Sequence, residues 1–202
     1  MQKRILSGLA LGLILGSVPS AALREGEALY EFRTDASAYF VSSHPKTVVL
    51  FVSVASPQTN INRSFTLYGD GRIELTEAGA NRASTRLHEM QLASDRFREL
   101  VGIAIEHGLA EYDETAIRAR QLREAGSPAT GGVLDGATTI VRIAVEQRAE
   151  SGREPVELRK EIHMYAARHA AEAYPEIREL QGIKRLQDAL FELMDDAGWV
   201  IW

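Results

Sequence analysis

The chain holds five histidines, His44, His88, His107, His163 and His169, and no cysteine. These are the natural starting points for metal or acid–base chemistry. A zinc site needs three convergent protein ligands. No His-x-x-x-His or His-Glu-x-x-His pair occurs. The nearest approaches are His88-Glu89 and Glu161-x-His163. Residues two apart on a strand share a face, so Glu161 and His163 read as neighbours on one strand surface. Two ligands fall short of a site, and solvated strand residues account for both pairs. Nucleophilic chemistry is no better served. There is no thiol, and no serine stands in a Gly-x-Ser-x-Gly elbow. The carboxylate pairs Asp113-Glu114 and Asp195-Asp196 fall at helix ends, where solvent covers them; a catalytic pair needs one acid in a dry pocket. Gly69-Asp70-Gly71 lacks the alternating acids and closing Glu of a calcium loop. Gly131-Gly132 is not followed by the Lys-Ser/Thr of a phosphate loop. No catalytic residue, metal ligand or cofactor is therefore assigned.

What remains is binding chemistry. Arg142, Glu146, Glu161, His163 and Tyr165 fall on the polar side of two predicted strands and form a candidate mixed-charge surface. A Gly-rich loop, residues 126–136, lies beside it. At the C-terminus, Trp199 and Trp202 bracket an apolar tail. Paired tryptophans serve as binding anchors, and they serve equally to close a core, since exposed apolar patches on monomers are uncommon.

Met1 to Arg4 is basic, Ile5 to Gly16 is an uncharged apolar run, and small residues follow to Ala22. That order predicts a secretory signal peptide over residues 1–22, cleaved near Ser20 to Ala22. The run is too short for a stable membrane anchor, so none is expected after cleavage. The formal net charge of the whole chain is −5. Loss of Lys3 and Arg4 takes it to about −7, which argues against nucleic acid as a partner. A cysteine-free exported chain of this size suits a periplasmic or secreted location, stabilised by its core alone.

The elements that must position these residues are legible as periodic patterns. The clearest is the hairpin from Arg63 to Leu75. A three-residue loop at Gly69–Gly71 pairs Leu67 with Ile73, Thr66 with Glu74 and Phe65 with Leu75. It places Phe65, Leu67, Ile73 and Leu75 on one face, with Gly71 supplying a positive φ. Thr47 to Ala55 reads as a buried strand and Ser84 to Leu92 as a weaker one. Ser94 to His107 reads as a helix, with Ser94 as its N-cap and Gly108 at its end. Glu114 to Ala125 reads as a surface helix with a thin stripe of Ile117 and Leu122. Ala137 to Gln147 and Val156 to Tyr165 form a second hairpin. Lys160 interrupts its apolar side, which places that strand at a sheet edge. Ala166 to Tyr174 is an Ala-rich link. A last helix runs from Pro175, in its first turn, to about Asp195.

Residues 23–46 read as an N-terminal extension, in which 28–32 and 38–42 form short strands or an arm. Residues 47–202 form a single α+β domain. Its predicted architecture is an antiparallel sheet of about four to six strands with two amphipathic helices on one face.

The apolar strand followed by Ser64-Phe-Thr-Leu-Tyr-Gly-Asp-Gly-Arg-Ile73 resembles the opening of small exported bacterial domains of unknown function. There a strand leads to a Gly-closed hairpin, a helix, and two more strands that begin after an Asp, as at Asp135. The order of elements is similar, more loosely, to emfourin, an inhibitor of thermolysin-like proteases, although Ser53 to Asn62 lacks the glycine-rich start of that family. No functional residue carries over. The expectation is a non-catalytic exported domain that binds a protein or envelope component. The alternatives are an enzyme with a site assembled around His88 or His163, and an inhibitor of a secreted metalloprotease.

Overall fold

The computed structural model describes residues 28–79, 85–125 and 136–199. The predicted signal-peptide segment, all but the last residue of the Gly-rich loop, and Trp202 lie outside them. The described elements are β1 (Leu29–Arg33), β2 (Ala38–Ser42), β3 (Val48–Ser56), β4 (Ile61–Tyr68), β5 (Arg72–Ala78) and β6 (Thr85–Gln91). Then come α1 (Ser94–Glu106), a 3-10 turn at Leu109–Glu111 and α2 (Glu114–Ala125). The chain continues through β7 (Thr138–Ala149), β8 (Val156–Tyr165), α3 (Ala167–Ala173) and α4 (Arg178–Asp196).

All eight strands join one antiparallel sheet, not the four to six expected. The difference comes from the N-terminal segment. β1 and β2 form a hairpin, and β2 pairs with the far half of β7 through Ala38↔Ala149 and Phe40↔Gln147. β3 pairs with the near half of β7, from Leu50↔Ile143 to Ala55↔Thr138. β8 occupies the other side of β7 along its length. So β2 and β3 follow one another along a single edge of β7, separated by the turn at His44–Thr47. Tyr39 and Val41 on β2 enter the core, which makes this segment part of the domain and not an appendage.

The 63–75 hairpin has the expected register, Leu67↔Ile73, Thr66↔Glu74 and Phe65↔Leu75, and Gly71 has φ +84°. Its tip tucks into the break between β2 and β3. The Gly69 N–H donates to the Thr47 carbonyl at 2.9 Å. A Cβ at Gly69 would lie 2.7 Å from the His44 oxygen and 2.8 Å from its nitrogen, and closer still to the Ser42 oxygen. This glycine is required by a backbone approach that only the tertiary structure creates.

One face of the sheet carries Val41, Leu50, Val52, Phe65, Leu67, Ile73, Leu75, Val141, Ile143, Val145 and Ile162, all buried. α1 and α4 cover it. α1 presents Phe97, Leu100, Val101, Ala104 and Ile105, the predicted stripe. α4 presents Leu180, Ile183, Leu186, Leu190 and Leu193. The pair approach closely at Gly182, where an added Cβ would lie 2.5 Å from the His107 Cβ. His107 Nδ1 bonds the Arg178 carbonyl at 3.0 Å, and burial pushes its pKa below the ordinary imidazole value.

Three end-of-helix expectations differ in detail. Ala93, not Ser94, is the N-cap of α1 and is extended, so Ser94 is the first helical residue. Pro175 lies in the turn before α4, whose N-cap is Ile177. In α2, Ile117 is buried as expected, but its partner on that face is Gln121; Leu122 is 49% exposed. A helical step of four, not five, keeps two residues on one stripe.

Candidate functional site

Among the described residues, no helix lies over β7 and β8 on the opposite face of the sheet. Registration across β8, β7, β3, β4, β5 and β6 sets Glu161, Arg142, Phe51, Thr66, Glu74 and Glu89 in one row. The next row carries His163, Ile140, Ser53, Ser64, Thr76 and Leu87. Alternation along β8, β7, β3, β4 and β5 sets these residues opposite the apolar face, because the intervening Ile162, Val141, Val52, Phe65 and Leu75 are buried; Ser53 is nonetheless buried on this side.

Of the candidate residues, the structure brings three together. Arg142 Nε donates to Glu161 Oε2 at 2.5 Å, and the other carboxylate oxygen contacts His163 Nε2 at 2.6 Å. The hydrogen bonds from His163 and from Arg142 hold the Glu161 carboxyl below its usual pKa. The Arg142 guanidinium also lies over the Phe51 ring, 5.0 Å from its centroid. The arrangement holds a cation between an anion and an aromatic face. His163 is 59% exposed there.

The other candidates sit elsewhere. Glu146 lies at the irregularity between Val145 and Arg148, beyond the ion-paired row. Tyr165 turns its hydroxyl to the Gly136 N–H, which donates to it at 2.7 Å, so it braces the entrance to β7. Trp199 is buried against the core with Arg86 4.7 Å above its ring. Trp202 is outside the described residues. His88 pairs across from Leu75 on β6, at the opposite edge of the sheet from His163. Among the described residues no three His, Asp or Glu side chains converge as metal ligands.

Sequence reasoning missed two sets of residues. A shallow hollow of about 290 Å³ on the open face is lined by Val48, Arg142, Ala144, Arg159 and Glu161. Val48 reaches that face because Val49 is an extra residue between the pairs Val48↔Tyr68 and Leu50↔Leu67. Nothing in the local pattern marks that bulge. A larger groove of about 500 Å³ runs along the free side of β8, between Lys160–His163 and the corner Glu111–Glu114. Its Tyr112 is nine-tenths buried, and burial pushes its hydroxyl pKa up to about 12. That corner is forty-odd residues from β8 in the chain, and only the packing of the 3-10 turn on β7 and β8 unites them.

No protein-family model matches the chain, and no curated protein matches its sequence. Among the described residues, no helix is long and apolar enough to cross a membrane.

Proposed function

We propose that this is an exported, non-catalytic domain that binds a protein or envelope component through the open face of β3, β7 and β8. The observation that carries the reading is the Arg142–Glu161–His163 row with Phe51 beneath it, on a sheet face that no helix covers among the described residues. An ordered polar surface with an aromatic floor suits recognition. The groups are fixed in mutual contact and, among the described residues, are largely open to solvent, Arg142 by 52% and His163 by 59%. The signal-like first 22 residues support export.

The test is photo-crosslinking from a residue placed at position 163 or 142 in the full chain expressed in a Gram-negative host. A control position is Glu192 on the helical side. The expected result is a discrete adduct from the sheet positions and none from the control. Mass spectrometry of the same sample should show a chain shortened by roughly the predicted leader. Equal labelling from all positions, or a chain retained in the cytoplasm at full length, would overturn the reading.

A further inference from the structure

β8 closes one end of the sheet. Among the described residues its only strand neighbour is β7, so the main chain from Glu157 to Met164 turns its other side to no strand. Beside it lies the groove of about 500 Å³ between Lys160–His163 and the Glu111–Glu114 corner. An edge strand is a template for pairing with another chain unless its side chains forbid it. The side chains of β8 therefore decide what lies there.

Their order is self-complementary. Glu157, Arg159, Glu161 and His163 are exposed on the open face; Val156, Leu158, Lys160, Ile162 and Met164 alternate with them toward the helical side. Two copies of β8 related by a twofold axis run antiparallel, and the centre of the pair fixes which residue meets which. Centred on Lys160, Arg159 faces Glu161 of the second copy, and Glu157 faces its His163. On the helical side Leu158 faces Ile162, and Val156, which is 47% exposed, faces Met164. Only Lys160 meets itself. The neighbouring registers that keep the two faces distinct fail on charge. Centred on Arg159, the pair sets Arg159 against itself and Glu157 against Glu161; centred on Glu161, it sets Glu161 against itself.

We infer that β8 pairs with β8 of a second copy of this chain, antiparallel and centred on Lys160, so that two sheets join across a twofold axis. Main-chain bonds supply the attraction, and the outward charges choose the register. Within one copy Arg159 already contacts Glu157, and Glu161 contacts Arg142 and His163. The second copy links these pairs into one ladder, so the complementarity is one of register and not of unfilled partners. The like charges at Lys160 weaken the pair without reversing the balance. Cross-strand pairs are of similar size whatever their sign, and lysine stems are long enough to carry their ammonium groups apart. A single strand pair lies at the small end of interfaces, so the dimer is reversible. Pairing at this edge is independent of binding at the open face.

Sedimentation velocity of the full chain, from about 1 to about 500 μM, should show a monomer passing to a dimer and no larger species. Amide exchange at the high concentration should show protection within Glu157–Met164 that is absent at the low one. Arg159→Glu sets an acid against Glu161 of the second copy and should weaken dimerisation at least about fivefold. Lys160→Val removes the one like-charged pair and should strengthen it about three- to tenfold. The chain has no cysteine, so a single introduced one reports the register. Under mild oxidation Lys160→Cys should give a disulfide-linked dimer, since residues directly opposite lie about 4.5–5.5 Å apart at Cα. Arg159→Cys and Glu161→Cys should not, because diagonal neighbours lie about 7–8 Å apart.

A monomer throughout the concentration range, protection at β1 or β6 in place of β8, or an Arg159→Glu protein that associates like wild type would overturn the inference. So would disulfides that form equally well from all three cysteine variants, which mark random collision. A crosslink from position 163 to a second copy supports strand pairing alone, and one to a different protein supports the open-face role alone.

Discussion

Gly69 and Gly71 look alike in the sequence and do different work. Gly71 closes a turn with a positive φ, which local pattern predicts. Gly69 is needed because the hairpin tip presses on the Ser42–His44 backbone, which cannot move aside as a side chain would. Gly69→Ala is therefore expected to destabilise by about 2–3 kcal/mol, the upper part of the overpacking range, read as a lower urea midpoint with an unchanged slope. Glu161 carries a second residue-scale prediction. Its folded pKa is depressed, so its contribution is complete above the unfolded carboxylate value of about 4.3 and is lost as pH falls through the folded value. Near pH 5 Glu161→Gln should be slightly less stable than wild type, and the two should converge as the pH falls from about 4.3 through the lower, folded value. A difference that grew on acidification would reverse the sign of the argument.

At the scale of elements, α4 meets β7 through a buried polar contact in an apolar layer. Gln187 Nε2 donates to Thr139 Oγ1, while Gln187 Oε1 has no partner among the described residues. Removing one partner leaves the other buried and unsatisfied; removing both restores an apolar interface. Thr139→Val alone is expected to cost about 1–3 kcal/mol, and Thr139→Val with Gln187→Met to recover most of it. A double-mutant cycle by chemical denaturation measures this. Additive losses would mean that the pair is not coupled. On α2 one stripe position differs from the expectation. Its thin apolar stripe was visible, but Gln121 took the buried position beside Ile117 that a hydrophobicity pattern assigns to Leu122.

At the scale of the whole molecule, the N-terminal hairpin is part of the sheet. Tyr39 and Val41 are core residues, and β2 continues the edge that β3 begins. A chain starting at Lys46 would lose both side chains, at about 1.5–3 kcal/mol each by burial, and leave half of β7 unpaired on one side. It is expected to lose cooperative unfolding or to aggregate. A truncated protein that melts as sharply as the full chain would contradict this assignment.

The amino-acid order alone determined the elements whose information is local. The 63–75 register follows from period-two alternation and turn chemistry. α1 and α4 follow from their 3.6-residue stripes, and the edge position of β8 from Lys160 in an otherwise apolar row. The α+β class and antiparallel pairing follow from the order of these pieces. The short strands at 28–32 and 38–42 were visible too, but not their place, because strand pairing across a hundred residues leaves no mark on either partner. For the same reason Arg142, Glu161 and His163 were recognised as one surface, while Phe51 beneath them was not. The Glu111–Glu114 corner beside β8 and the clash that reserves position 69 for glycine were likewise decided in three dimensions. Each depends on which surfaces come within a few ångströms after collapse, and that is a property of the packed chain.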